Sequence, residues 1–105
     1  MSYNCPIMKY DNFIKSFKNN SPPSDISAPI KSMWYAKKGD WDMAHKIAQD
    51  IKTVLGSWIH AYLHRIEGDE SNANYWYKKA NVNQINANLD DEANQIIKHI
   101  LDLNI

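Results

Sequence analysis

The sequence predicts an all-α fold of stacked antiparallel helical hairpins, and three observations carry that expectation. Apolar residues recur at i, i+3, i+4 and i+7, while no stretch alternates with period two or carries a β-hairpin turn. Two Gly-Asp pairs, Gly39-Asp40 and Gly68-Asp69, recur after 29 residues, each preceded by an aromatic-bearing segment. A length of 105 residues suits one small domain that buries roughly 65 % of its unfolded surface.

The expected division is an N-terminal helical arm and Pro/Ser-rich linker over residues 1–29, followed by a helical-hairpin domain over 30–105. In the arm, Tyr10, Phe13, Ile14 and Phe17 share one face and Lys9, Lys15 and Lys18 lie off it. That spacing predicts an amphipathic helix over 7–18, docked on the body or serving as a detachable arm for a partner. Residues 19–29, NNSPPSDISAP, hold three prolines and three serines. Proline fixes φ and disfavours helix in the residue before it, so this stretch reads as a linker or ordered loop.

Each Gly-Asp pair has a simple physical reading. Glycine adopts the positive φ that stops a leading helix, and the aspartate then caps the exposed N–H groups of the following one. Ala44 and Ala48 in the first copy, and Ala73 and Tyr77 in the second, fall five and nine residues after the glycine. Small residues there let paired helices approach, with Trp41, Trp76 and Tyr77 filling the surrounding space. Four tryptophans supply either one core or anchors for a partner. Trp41 and Trp58 are expected in the core, and Trp34 and Trp76 suit either role.

Gly68, Asp69, Ala73, Tyr77 and Ala80 resemble the second half of a tetratricopeptide repeat, and Gly39, Asp40, Trp41, Ala44, Ala48 and Ile51 form a less complete copy. The resemblance spans residues ~30–80. It departs from the family in its short period and in placing His60 and His64 where Leu and Tyr are usual. The resemblance implies partner binding on a helical surface rather than catalysis. The stretch SWIHAYLHRIEGDESNANYWYKKA is also similar to a run in small uncharacterised bacterial proteins, which implies no activity.

Beyond Ala80, residues 81–88 are polar and turn-prone. Asp90, Asp91 and Glu92 then suit a helix N-terminus, and Ala93, Ile96, Ile97, Ile100, Leu101 and Leu103 form an apolar stripe. This C-terminal helix is expected to cap the last hairpin. The count is six helices.

Composition excludes several functions. Twelve basic and twelve acidic side chains balance, which argues against a basic nucleic-acid coat or an acidic tail. The charge is unevenly placed: six lysines against Asp11 and Asp25 up to Lys38, then six basic and ten acidic residues. Solvated faces account for this, or a weak attraction between the two ends or between two copies. A lone Cys5 excludes a disulfide framework and suits a reducing cytoplasm. As a nucleophile it has nothing nearby to lower its pKa. No apolar run reaches the ~18–20 residues of a membrane span, and no signal-peptide core stands at the N-terminus. A Gly-x-Ser-x-Gly elbow and a phosphate-cradling glycine loop are both missing.

The candidate site lies on the helix expected over 57–67. At 100° per residue, Trp58, Ile59, Tyr62, Leu63 and Ile66 make an apolar face, while His60, His64 and Glu67 fall together on another. Two imidazoles one turn apart can chelate a divalent ion, and a carboxylate a turn further adds an oxygen ligand. His45, at the edge of the preceding helix, is placed to join them, with Asp40, Asp42 and Asp69 near the turns. The pattern is not the His-Glu-x-x-His of zinc peptidases, because Ala61 follows His60. The plainer alternatives are a wetted polar stripe or histidines bonded to backbone and acidic neighbours.

Asn74 to Lys79 interleave aromatics and lysines in a way that suits single-stranded nucleic acid, but Trp76 and Tyr77 read as core and Lys78 and Lys79 as solvated. Tyr75 points off that core face. The expected function is therefore a cytoplasmic protein-interaction or scaffolding module, without catalysis, using His45, His60, His64, Glu67 and Tyr75. A protein partner or a second copy is expected, with neither membrane nor nucleic acid. No cofactor is required. The alternative is a metal- or small-ligand-binding protein, in the extreme a small hydrolase, with a divalent metal on His60, His64 and Glu67.

Overall fold

The computed structural model describes residues 9–83 and 88–103, and within them every regular element is helical. The order is α1 (Tyr10–Lys15), a 3-10 turn (Ser16–Lys18), α2 (Ala28–Lys38), α3 (Trp41–Gln49), α4 (Val54–Ile66), α5 (Glu70–Ala80) and α6 (Leu89–Leu103). Cys5, the first residues of the expected arm helix and half of the polar stretch before α6 (84–87) lie outside the described residues.

The two Gly-Asp pairs make the two hairpin turns. Gly39 at φ 88° and Gly68 at φ 84° end α2 and α4 in the left-handed region. Asp40 then accepts from the Met43 N–H and Asp69 from the Asn72 N–H, capping α3 and α5. The third stop is Asn81, at φ 55°, which the sequence shows only as part of a polar run. The helix α2 begins at Ala28 with Pro29 in its first turn, where a missing N–H loses no bond.

Two hairpins result, α2 with α3 and α4 with α5, joined side by side through α3 and α4. The close approach within them runs over Ala44, Ala48, Ala61 and Ala73, all buried. The helix α6 lies along α2 and α4, the leading helices of both hairpins, instead of covering the last hairpin alone. Its Ala93, Ile96, Ile97 and Ile100 join Ile30, Met33, Trp34, Ile59 and Leu63 in one core. A stripe that wide on α6 fills the groove between two helices better than it covers one.

The arm shares that core. Phe13 is fully buried, Phe17 packs against Trp34, and the Tyr10 hydroxyl donates to Asn94 on α6 at 3.0 Å. Ile14 departs from the expected stripe and is 36 % exposed. The chain tightens into the 3-10 turn there, and buried Ser16 takes the inward position, accepting from the Trp34 indole N–H at 3.0 Å. Trp34 is the deepest tryptophan, whereas Trp41 and Trp58 are half-buried because each indole N–H reaches an acceptor at the edge of the core. Leu103, at the end of α6, is 55 % exposed. Among the described residues no helix is long and apolar enough to cross a membrane.

Gly56 fixes the α3–α4 connection. A β-carbon there would overlap the carbonyl oxygen and side chain of Ile51, so only glycine lets the loop lie against the first turn of α4. That contact sets how far α3 stands from α4, and with it the separation of the side chains between them.

Candidate metal centre

Three of the four histidines converge between α3, α4 and α5. His45 comes from α3, and His60 and His64 from successive turns of α4. The Nε2 atoms of His45 and His60 are 2.8 Å apart. One ligand nitrogen from each of the three rings falls within 4.8 Å of the others. Nitrogens on one tetrahedral zinc ion lie roughly 3.3 Å apart, given Zn–N bonds of about 2.0–2.1 Å, so small ring movements satisfy the geometry.

The rings are held in place. The Trp41 indole stacks on His45 with centroids 4.7 Å apart and planes at 11°, and its N–H is fixed on the Leu63 carbonyl oxygen at 2.6 Å. Trp76 from α5 stacks on His60 at 4.0 Å and 10°. His64 donates its Nδ1–H to the Glu67 carboxylate at 2.6 Å. A histidine bound through one nitrogen to a carboxylate keeps its lone pair on the other, here Nε2, and metal-binding histidines commonly carry such a partner.

Burial makes the cluster basic only with difficulty. His60 and His64 are each 7 % exposed, despite lying on what periodicity reads as a polar stripe. Desolvation, then the neighbouring His45 and His64, pushes the His60 pKa down to about 4. His45 is lowered as well, first by burial and then by His64, with Glu67 and Asp42 opposing. His60 is therefore neutral at pH 7, and its contact with His45 joins one ring's donor to the other's acceptor. A neutral imidazole binds a cation through its lone pair, which both facing nitrogens offer once the proton between them moves to an outer Nδ1.

The structure thus assembles His45, His60 and His64, with Glu67 against the outer nitrogen of His64 and not among the three converging nitrogens. Asp69 joins Glu67 and His64 in a second group of close ligand atoms at the α4–α5 turn, where Asp69 already caps α5. Asp40 and Asp42 stay at the α2–α3 turn, Asp40 as a cap and Asp42 acting on His45 only through its charge. Tyr75 is 55 % exposed, with its ring against Trp76 and the Lys79 ammonium above it. The fourth histidine, His99, packs apart from the cluster against Trp58.

The sequence places Trp41 beside His45, four residues apart on one helix, but does not show that Trp76 walls His60. Nothing local points to Trp76, which arrives from the next helix. Sequence reasoning also missed a second polar cluster across α4, around Glu92. That carboxylate is fully buried and accepts from Trp58 Nε1 at 3.1 Å, Arg65 at 2.7 Å and the Tyr77 hydroxyl at 2.6 and 2.8 Å.

Comparison with protein-family models, curated proteins and solved structures returns no match.

Proposed function

We propose that this protein binds a divalent transition-metal ion through His45, His60 and His64. The observation that carries the reading is the convergence of three imidazoles, two of them buried, with one oriented by a carboxylate. Three imidazole nitrogen ligands without thiolate suit zinc, copper(II) or nickel(II) over calcium or magnesium, which prefer oxygen. Three protein ligands leave one tetrahedral position for water or a ligand, the arrangement that distinguishes catalytic from closed structural zinc sites. Hydrolysis of a small substrate is the chemistry such a position supports. The test is a zinc titration of untagged protein followed by calorimetry and elemental analysis. One ion per chain is expected, with binding weakened at least a hundredfold in His60→Ala and His64→Ala. Unchanged binding in both variants removes the reading.

A second reading, a protein-interaction module on tetratricopeptide-like hairpins in the cytoplasm, is favoured by exposed Tyr75 and by the paired Gly-Asp turns. With His60 and His64 buried, such a surface would rest on Tyr75, Glu67 and the exposed lysines of α5. Pull-down with wild type against Tyr75→Ala tests it, and a partner captured equally by both contradicts it.

A further inference from the structure

A cavity of about 350 Å³ opens beside the metal centre, between the α3–α4 connection, the first turns of α4 and the last turn of α5. Its volume lies in the range of small-molecule pockets, about 300–1,000 Å³. Ile51 and Trp76 supply apolar wall, Thr53 and Ser57 supply hydroxyls, and Lys52 and Lys79 supply cations. No described acidic residue lines it.

The two lysines are the informative part. Lys52 gives one bond to the Gln49 carbonyl oxygen at 3.2 Å, and the Lys79 ammonium sits over the Trp76 ring at 5.2 Å from its centroid. Neither forms an ion pair with a carboxylate among the described residues. An ammonium has three donors, so both retain capacity toward the cavity. The Ser57 hydroxyl likewise has no hydrogen-bond partner among the described residues. Lys37 and Arg65 each meet a carboxylate, at 3.3 and 2.7 Å, whereas Lys52 and Lys79, both exposed, border a lining that holds none. Two cations and a hydroxyl around an apolar-walled space match a small organic anion in charge and size.

We infer that this cavity is a binding site for a small organic carboxylate, its acid group held by Lys52, Lys79 and Ser57 and its carbon skeleton laid against Ile51 and Trp76. The site does not require the metal reading, although it shares His60 with the histidine cluster. Gly56 also lines it, so the close loop contact that spaces α3 from α4 shapes the cavity too.

The test is titration of the full chain with benzoate and with succinate, alongside benzamide and succinamide, followed by calorimetry and amide chemical shifts. Both chelator-treated and zinc-loaded protein are used. A carboxylate is expected to shift amides of residues 49–57 and 76–79, its uncharged amide to bind at least tenfold more weakly, and Lys52→Ala/Lys79→Ala to lose at least tenfold. Ser57→Met, which fills the space and keeps both charges, is expected to lose binding as well. Circular dichroism checks that each variant is folded. Carboxylates that shift no residue of the cavity, or that bind the double variant or the amides equally, overturn the inference. Zinc binding without carboxylate binding overturns this site and leaves the metal centre standing. Carboxylate binding without zinc binding does the reverse.

Discussion

Two buried polar clusters flank α4, and they are built on opposite plans. On one side the Glu92 carboxylate meets donors from two helices: Trp58 and Arg65 of α4 and Tyr77 of α5. On the other, His45, His60 and His64 meet one another, three groups of the same kind that repel once protonated. The Glu92 cluster is complementary in sign and number of bonds, and it ties α4, α5 and α6 together. The histidine cluster is made of like groups, with one hydrogen bond between His45 and His60 and one from His64 to Glu67. Burial of the Glu92 network is explained by stability, whereas clustered imidazoles are accounted for by the proposed metal.

Removing Glu92 tests the first half of this contrast and should have the largest effect. Glu92→Ala removes the acceptor shared by a half-buried guanidinium, an indole N–H and a buried phenol, a loss of about 3–5 kcal/mol by urea unfolding. His60→Leu in metal-free protein should change stability by less than about 1 kcal/mol, since it deletes a desolvated group that its neighbours disfavour. Equal losses from the two substitutions would erase the distinction.

Acid should separate the clusters next. A histidine whose folded pKa is about 4 against 6.5 unfolded contributes fully above pH 6.5. As pH falls from 6.5 toward 4 the unfolded chain takes up the proton first, so stability declines across that window, by about 2 kcal/mol after allowance for solvent. His45, lowered in the same direction, adds to the decline, opposed by Glu67 and Asp42. His60→Leu should flatten the profile in that window. A wild-type profile that stays level from pH 6.5 to 4.5 would show that the imidazoles are not desolvated as described.

The half-buried indoles offer a smaller, matched pair. Trp58→Phe removes a donor to a buried carboxylate and should lose about 2 kcal/mol, against about 1 kcal/mol for Trp41→Phe, whose acceptor is a backbone carbonyl. Thermal unfolding of both variants ranks them, and the reverse order would contradict the assignment of roles. Glu67→Gln should move stability least, by under about 0.5 kcal/mol at a position so near the surface. Its effect belongs instead to zinc affinity, a ten- to hundredfold loss through the orientation of His64.

Much of the fold is readable in the chain because its signals are local. Glycine before aspartate stops one helix and starts the next within two residues, and His60 and His64 share a face by their spacing alone. The position of His45 follows once α3 and α4 are placed side by side. Ile14, Leu103 and Trp34 are different, since their burial depends on where the 3-10 turn, the end of α6 and the arm meet the core. Glu92 looks like a first-turn acid favouring a helix N-terminus, and no local rule connects it to Arg65, 27 residues earlier. The burial of His60 and His64 escaped for a related reason: periodicity sorts polar from apolar faces, but it does not show that α3 and α5 bring Trp41 and Trp76 to cover the polar one.

The most direct test of the histidine cluster is the stability that zinc confers. Chelator-treated wild type and His64→Ala are unfolded in urea at pH 7.5, with and without free zinc at a hundred times the wild-type dissociation constant. Selective binding to the folded chain stabilises wild type by about 2.7 kcal/mol at that ratio, and the variant should gain almost nothing. Equal gains in both proteins, or none in either, would contradict a metal centre built from these three rings.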